Sequence, residues 1–360
     1  MRIGIVGCGY ISAVYFENLA RLPSTDVVAC ADLLPERARA SARRYGVPYG
    51  GTVRELLADP AVELVVNLTL PAAHADVSLA AITAGKHVYS EKPLAAVAED
   101  GRLLLAAAQA RGVRVGGAPD TFLGAGGQTC RALIDEGVIG TPFAAAATML
   151  SPGHESWHPA PDFYYRPGGG PLFDMGPYYL TALVNLLGPV RRVSAVGSRG
   201  FRERTAAGGR RIPVEVDTHV TAILEFVSDA TATLVMSFDV AATTVPHGIE
   251  VYGSTGTITL TDPNDFGGPV LLGRADGTAW RDVPLRSNLT GDERGIGVAE
   301  MAEAIEAGRE HRAGGDLAQH VLDVMSAVEQ AAAGAGPVEV TSRCRRPEPF
   351  IRPAVTGTTS

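Results

Sequence analysis

Lysine is almost missing from this 360-residue chain: of 31 basic residues only Lys86 and Lys92 are lysines, and the other 29 are arginines. Arginine keeps its proton at any usable pH, whereas a lysine can be tuned to release it, so each lysine here is a candidate for chemistry. Lys86, in the turn AGKH, reads as a solvated surface residue; Lys92 stands in the run SEKPL and is the more pointed candidate. Cysteine is scarce too. Cys8, Cys30, Cys130 and Cys344 lie far apart and form no CxxC pair, which suggests neither a disulfide framework nor a zinc knuckle and points to a reducing compartment. No apolar run approaches the roughly 18 residues of a membrane span. Met1 passes through one arginine into the strand-like RIGIV without room for a secretory leader, so a cytoplasmic protein is expected. Charge tracts are lacking as well: the net charge is -8 with acids and bases mixed along the chain, which argues against a nucleic-acid or anionic-membrane partner.

What is present is enough apolar material, 46% of 360 residues, to fill two cores, and a chain of this length exceeds what one core supports. Residues 2–6, RIGIV, are followed at once by GCGYIS and an amphipathic stretch from Ala13 to Leu22, the order strand, tight turn, helix. In a dinucleotide fingerprint Gly7 permits the turn, Gly9 lets the backbone approach a pyrophosphate at the positive helix end, and Ser12 fills the third small position. Tyr10 and Ile11 complete this candidate cofactor loop. The second strand, VVACAD, ends in Asp32, at about the 20-residue spacing such folds use for a ribose-binding acid. A carboxylate there accepts from the adenine ribose hydroxyls and repels a 2′-phosphate, so NAD is expected rather than NADP, although Arg37 and Arg39 in the next helix could reach a phosphate. The competing reading makes Asp32 the cap of the helix LLPERARASARRYG.

Alternation continues through the helix TVRELLAD, the strand VELVVNLTL, the helix HADVSLAAITAG, the strand KHVYSE, the helix EDGRLLLAAAQARG and the strand VRVGGA. That pattern predicts a parallel, doubly wound α/β sheet of Rossmann type over residues 1–120. Ligands of such sheets lie beyond the carboxyl ends of the strands, where Asn67, Thr69, Pro71, His74, Glu91, Lys92 and Pro93 fall. His74 reads equally as a cofactor contact or as a capping or surface histidine.

Further on, Gly168-Gly169-Gly170 lead into PLFDMGPYYLTALVNLL, a flexible loop delivering a helix with Pro171 near its first turn. Asp174 and Tyr178 share a face if that helix is continuous; Pro177 suggests that it begins near Gly176, with Asp174 just ahead of it. The segments GIVGCGYIS, NLTLPAAH, AGKHVYSEKPL and GGGPLFDMGPYYL together resemble the glucose-fructose oxidoreductase and inositol dehydrogenase family, Gfo/Idh/MocA. The resemblance implies an N-terminal Rossmann domain and a C-terminal α+β domain, here residues 121–345, with a large, open, mostly antiparallel sheet. It also implies Lys92 beside the nicotinamide, a sugar, sugar derivative or cyclitol as substrate, and homodimers or homotetramers formed through the open sheet face. Much of the family carries His four positions after the Asp; here Tyr178 stands there, which moves the expected substrate away from the inositol type.

Oxidising a secondary alcohol requires its hydroxyl proton to leave as the hydride goes, so one side chain must accept a proton near the reacting carbon. Lys92 and Tyr178 both qualify, and sequence alone does not separate them; Asp174 orients a substrate hydroxyl or tunes its neighbours. Competing readings make Asp174 a cap and Tyr178 a core residue. Between the motif blocks lies SPGHESWHPAPDFYYRPGGG, too rich in Pro and Gly for regular structure and expected to be a loop over the site. Its Trp157, His158 and Tyr165 are candidate sugar contacts. His154 to His158 spell HExxH, a metalloprotease signature that works only on a helix, and the flanking prolines argue against it; no metal site is expected. The Asn67 and Asn288 sequons are idle outside a secretory pathway. From Val190 the chain becomes strand-like, with His219 structural on its strand, then come the helices GVAEMAEAIEAG and DLAQHVLDVMSAVEQAAAG and a peripheral Pro-rich tail over 346–360. An NAD-dependent dehydrogenase or ketoreductase is the leading expectation; redox-neutral glycoside cleavage by transient ring oxidation, and a non-catalytic dinucleotide-binding sensor, are the alternatives.

Overall fold

Local chemistry sets the elements of the first unit. In the computed structural model, which describes residues 1–277 and 279–350, the strands β1 (Arg2–Val6), β2 (Asp26–Ala31), β3 (Tyr49–Gly51), β4 (Leu64–Asn67), β5 (His87–Ser90) and β6 (Val115–Gly117) alternate with helices α1 (Ser12–Leu19), α2 (Pro35–Tyr45), α3 (Val53–Ala58), α4 (His74–Thr83) and α5 (Ala98–Arg111). The strands pair in parallel in the order β3-β2-β1-β4-β5-β6. Ile3 and Ile5 of β1 and Leu64, Val65 and Val66 of β4 are buried on both faces, as parallel strands under helices must be. Helix α2 has Pro35 in its first turn, Arg43 and Arg44 in its last and Gly46 at φ +70° beyond its end; α3 begins in a capping box of Thr52 and Glu55.

Two compact units form, one of Met1–Asp120 with Asp292–Leu322, the other of Thr121–Gly291 with the residues from Asp323 on. Asp292–Leu322, placed in the second domain by the linear reading, thus clusters with the parallel sheet. Asn18 of α1 donates to the carbonyls of Asp292 (2.8 Å) and Arg294 (2.9 Å), and the buried Asp120 accepts the amides of Gly295 and Gly297 (2.9 Å each) at the start of a further helix.

The second unit opens with α6 (Ala125–Asp135) and β7 (Pro142–Leu150), then α7 (Gly170–Leu187), β8 (Val190–Ser198), the hairpin β9 (Glu203–Thr205) and β10 (Arg211–Pro213), and strands β11 (His219–Phe226), β12 (Thr231–Ser237), β13 (Gly248–Gly253), β14 (Gly256–Leu260), β15 (Val270–Arg274) and β16 (Arg281–Val283). The helix started by Gly295 is α8 (Ile296–Glu306); α9 (Gly315–Gln330) and β17 (Val338–Glu339) follow. Nine strands form one sheet in the order β16-β15-β14-β13-β7-β12-β11-β8-β17, antiparallel except for β7 against β12. One face is buried through Ala145, Ala147 and Met149 of β7, Ala222 and Leu224 of β11, and Leu234 and Met236 of β12. The other exposes Val196 and Ile223 and half-exposes Ala144 and Ala146, so this face of the sheet is open. No helix of the described residues is long and apolar enough to cross a membrane. The tail from Arg346 to Phe350 is tied in: Arg131 donates to the carbonyl of Pro347 (2.6 Å), Gln128 accepts the amide of Phe350 (2.6 Å), and Phe350 is buried; positions 351–360 of the expected tail lie outside the described residues.

Candidate active site

The turn after β1 is shaped by sterics. Gly7 has φ +100°, and a Cβ there would lie 2.6 Å from the carbonyl carbon of Leu68, so only glycine fits. A Cβ on Gly9 would meet nothing within 4 Å, and Tyr10 beside it is fully exposed, so this edge of the turn stands open. Ile11 is half-buried, and Ser12 closes the turn by donating its hydroxyl to the Gly9 carbonyl (2.7 Å). The first amides of α1 have no acceptor within their own helix, so an open turn here is suited to a pyrophosphate.

Asp32 follows β2 and accepts the amides of Cys8 (2.8 Å) and Leu34 (2.9 Å). Leu34 occupies the cap position of α2 with no side-chain cap, so the capping reading of Asp32 fails; its carboxylate ties β2 to the glycine turn. A carboxylate offers about four lone-pair sites, which leaves acceptor capacity for ribose hydroxyls. Arg37 and Arg39 are exposed on α2. Sequence reading passed over Leu33 and Leu70, which are 92% and 74% exposed just past β2 and β4 and offer apolar faces at the ligand end of the sheet. Their only signal was an apolar side chain at a strand end with no core to enter.

The loops after β4 and β5 are joined through His74. Its ring is buried, with Nδ1 2.6 Å from the Pro93 carbonyl oxygen and Nε2 3.0 Å from that of Thr69. Asn67 is buried too: Nδ2 donates to the His74 carbonyl and to Ser78 Oγ (3.0 Å each), while Oδ1 accepts the amide (3.2 Å) and hydroxyl (2.7 Å) of Thr69. Asn67 was expected to touch the cofactor and His74 equally to touch it or to be a capping or surface histidine; the polar atoms of both are taken up in holding the loop of Thr69 and Pro71. Glu91 accepts from the Tyr15 hydroxyl (2.8 Å) and from the amide of Lys92 (2.9 Å). The backbone at the half-buried Lys92 is thus held by Glu91 at its amide and, one residue on, by the His74 contact to the Pro93 carbonyl. Lys86, expected on the surface, is buried, with Nζ donating to the carbonyls of Asp59 (2.6 Å) and Val62 (2.8 Å); burial lowers its pKa from the ordinary lysine value.

In the second unit, α7 runs unbroken from Gly170 to Leu187 with Pro177 inside it, where a start near Gly176 was expected. Proline crowds the Cβ of the residue before it, and Gly176 has none. The glycine triplet is a steric need: a Cβ on Gly169 would lie 2.4 Å from the Phe163 carbonyl oxygen, and Gly170 has φ +78°. Asp174 and Tyr178 are therefore one turn apart on one face, Asp174 partly accessible and Tyr178 buried.

The loop 151–169 packs against that face. His154 Nε2 is 3.2 Å from Asp174 Oδ2, and its ring lies against Tyr164 (centroids 4.0 Å apart), Phe238 (4.6 Å) and Trp157 (5.2 Å). The HExxH residues form a single turn, with the His158 amide on the His154 carbonyl (2.9 Å), but their side chains diverge. Glu155 accepts from the Tyr165 hydroxyl and pairs with Arg204 (3.2 Å), and His158 Nδ1 accepts the Ala160 amide (3.1 Å). Among the described residues no three His, Cys, Asp or Glu are placed to hold a metal ion. Tyr165 is wholly buried with its hydroxyl on Glu155, and burial raises its phenol pKa, so it anchors the loop instead of meeting a substrate. Trp157 is 65% exposed on the loop, and His158 is half-buried among Trp157, Phe163 and Tyr164. The buried Arg204 also pairs with Asp239 (3.0 Å), which accepts from Thr218 (2.6 Å); sequence reading missed Arg204 and His154 because nothing local marks a partner far along the chain.

A glycine-turn parallel sheet with an acid after its second strand has the form of a dinucleotide-binding domain. The model of the oxidoreductase family with NAD-binding Rossmann fold matches residues 1–117, and that of the GFO/IDH/MocA C-terminal domain matches residues 128–259. A dTDP-3,4-didehydro-2,6-dideoxy-alpha-D-glucose 3-reductase of Streptomyces violaceoruber is 33% identical over 350 residues, 92% of this chain and 95% of that one. A myo-inositol 2-dehydrogenase of Thermotoga maritima is 29% identical over 261 residues, 72% of this chain and 74% of its own length. The solved levoglucosan dehydrogenase in complex with NADH and L-sorbose has the same fold, with a TM-score of 0.82 and 22% identity over 95% of this chain and 99% of that one. This chain belongs to the Gfo/Idh/MocA oxidoreductase family and carries its NAD-binding Rossmann fold.

Proposed function

We propose that the protein catalyses hydride transfer between NAD and a secondary alcohol or ketone of a sugar, glycoside or cyclitol. The observation that carries this reading is the Asp174–Tyr178 face of α7, set under a loop that exposes Trp157, in a chain whose other unit has the dinucleotide turn and presents Lys92 at a strand end with its backbone amide on Glu91. The names of the sugar and cyclitol relatives support the substrate class.

On this reading the first unit is the cofactor domain and the second the substrate domain. Gly7, Gly9, Tyr10, Ile11 and Ser12 receive the pyrophosphate, Asp32 the adenine ribose, and Leu33 and Leu70 flank planar rings. Thr69, Pro71, Glu91, Lys92 and Pro93 border the nicotinamide end, with Asn67 and His74 supporting them from behind. NAD, when bound, supplies the hydride acceptor. Tyr178 takes the hydroxyl proton, Lys92 donates a hydrogen bond to the substrate oxygen and lowers the cost of its negative charge, and Asp174 orients a neighbouring hydroxyl. Trp157 stacks on the apolar face of the sugar ring, and His158 bonds its hydroxyls. The open sheet face serves a homodimer or homotetramer, and the protein works in the cytoplasm.

The test is the absorbance of reduced nicotinamide on mixing purified protein, NAD or NADP, and a panel of sugars, glycosides and inositols. Wild type should reduce NAD with at least one substrate, and Lys92→Ala should lower kcat by about 10³-fold while NAD still binds. Silence of wild type with every pair, despite NAD binding, would replace this reading with redox-neutral glycoside cleavage or a sensor.

A further inference from the structure

His154 belongs to neither the dinucleotide turn nor the α7 motif, and the HExxH spacing around it builds no metal site. Its surroundings nonetheless leave it one role. The ring packs into a corner formed by Tyr164 and Phe238 with Trp157 alongside, Nε2 faces Asp174 Oδ2 at 3.2 Å, and Nδ1 is buried and, among the described residues, without a hydrogen-bond partner.

A neutral imidazole carries one N–H. Placed on Nδ1, that proton would be a buried donor with no acceptor, and two acceptors would oppose each other across the Asp174 contact. Placed on Nε2, it satisfies the contact. The geometry points to His154 as the positioning residue of Asp174: a ring, held in place by packing, that donates Nε2–H to Oδ2 and fixes the plane of the carboxylate. The terminal torsion of an aspartate is intrinsically broad, and a bond from a packed ring narrows it. With Oδ2 held by a packed ring, Oδ1 is presented in one direction, on the helix face that one turn later carries Tyr178. The inference rests on the reading of Asp174 and Tyr178 as working groups, and it assigns to a loop histidine the alignment of a helix carboxylate.

His154→Phe keeps a ring against Tyr164 and Phe238 but removes the donor, and His154→Gln returns an amide N–H near the position of Nε2. With the substrate found by the nicotinamide assay, His154→Phe should lose about 10- to 100-fold in kcat with KM changed less than about threefold, and His154→Gln should recover to within about fivefold of wild type. The double variant with Asp174→Asn should be no slower than Asp174→Asn alone, because the two groups act as one unit. Unchanged kcat in His154→Phe, or losses that simply multiply in the double variant, would overturn the inference. ¹⁵N-imidazole NMR of the folded wild type gives a readout without turnover or substitution: a ring protonated on Nε2 supports it, and one protonated on Nδ1 alone overturns it. A wild type that reduces NAD with no alcohol overturns the reading of the site itself, an outcome distinct from a wild type that turns over while His154→Phe matches it.

Discussion

In the parallel-sheet unit every candidate ligand contact lies within a few residues of a strand end: Gly7 and Gly9 after β1, Asp32 and Leu33 after β2, Thr69 and Leu70 after β4, Lys92 after β5. In the mixed-sheet unit the nine strands supply none of the candidate contacts, which come from α7 and from residues 151–169 passing over it. A parallel βα unit delivers its loops to one sheet edge by topology, so the site is implicit in the alternation. The second unit has no such rule. Its loop is placed by side chains, chiefly the buried Arg204 between Glu155 and Asp239, and the site there is only as ordered as those contacts.

This contrast can be broken most forcefully at Arg204. Arg204→Met leaves two largely buried carboxylates without their cation, which should cost the second unit about 3–5 kcal/mol in denaturant unfolding. NAD affinity should hold under native conditions; an equal fall in it would mean that the two regions are not organised separately.

Asp120 probes the first unit. Burial pushes its carboxyl up to about 6 from an ordinary 3.8, against the opposing pull of the Gly297 amide and then of Arg294 and the Gly295 amide. The folded form therefore favours the proton more than the unfolded chain does. Its contribution to stability is full below pH 3.8 and is lost as pH rises through about 6. Relative to Asp120→Asn, wild type should lose about 2 kcal/mol of unfolding free energy between about pH 4 and pH 7. Parallel pH curves for the two proteins would remove this account.

The smallest effect is expected at Asp32. Asp32→Asn keeps an acceptor toward the Cys8 or Leu34 amide but removes the charge that repels a 2′-phosphate, so the preference for NAD over NADP should shift by about 10- to 100-fold in kcat/KM. An unshifted preference would move cofactor discrimination to the exposed Arg37 and Arg39.

Legibility follows the same division. Five strands of the first unit were readable because parallel strands are continuous apolar runs, and α3 also carries a capping box of Thr52 and Glu55; the short β3, YGG, has no apolar run and was not. Nothing between Pro119 and Leu150 was readable. Helix α6 contains Gly126 and Gly127, with Gly126 so close to Gly267 that a Cβ would lie 2.2 Å from its carbonyl oxygen. Strand β7 reads PFAAAATML, an alanine run with helical propensity, yet it is the middle strand of nine because β12 and β13 pair with both its edges. The start of α7 was hidden for the opposite reason: Pro177 signals a helix start, yet it sits inside the helix, where Gly176 has no Cβ to crowd its ring.

The amino-acid sequence by itself determined the dinucleotide turn, the acid after β2, the lysine after β5 and the pairing of Asp174 with Tyr178, since each depends on spacing along a few residues of strand, turn or helix. Tertiary structure alone decided that His74 and Asn67 support the loops instead of facing them outward, that Tyr165 is an anchor, that Lys86 is buried, and that His154 meets Asp174. Those outcomes depend on which polar atoms find partners from distant segments once the chain is closed, and a buried donor or acceptor takes whatever partner the packing brings.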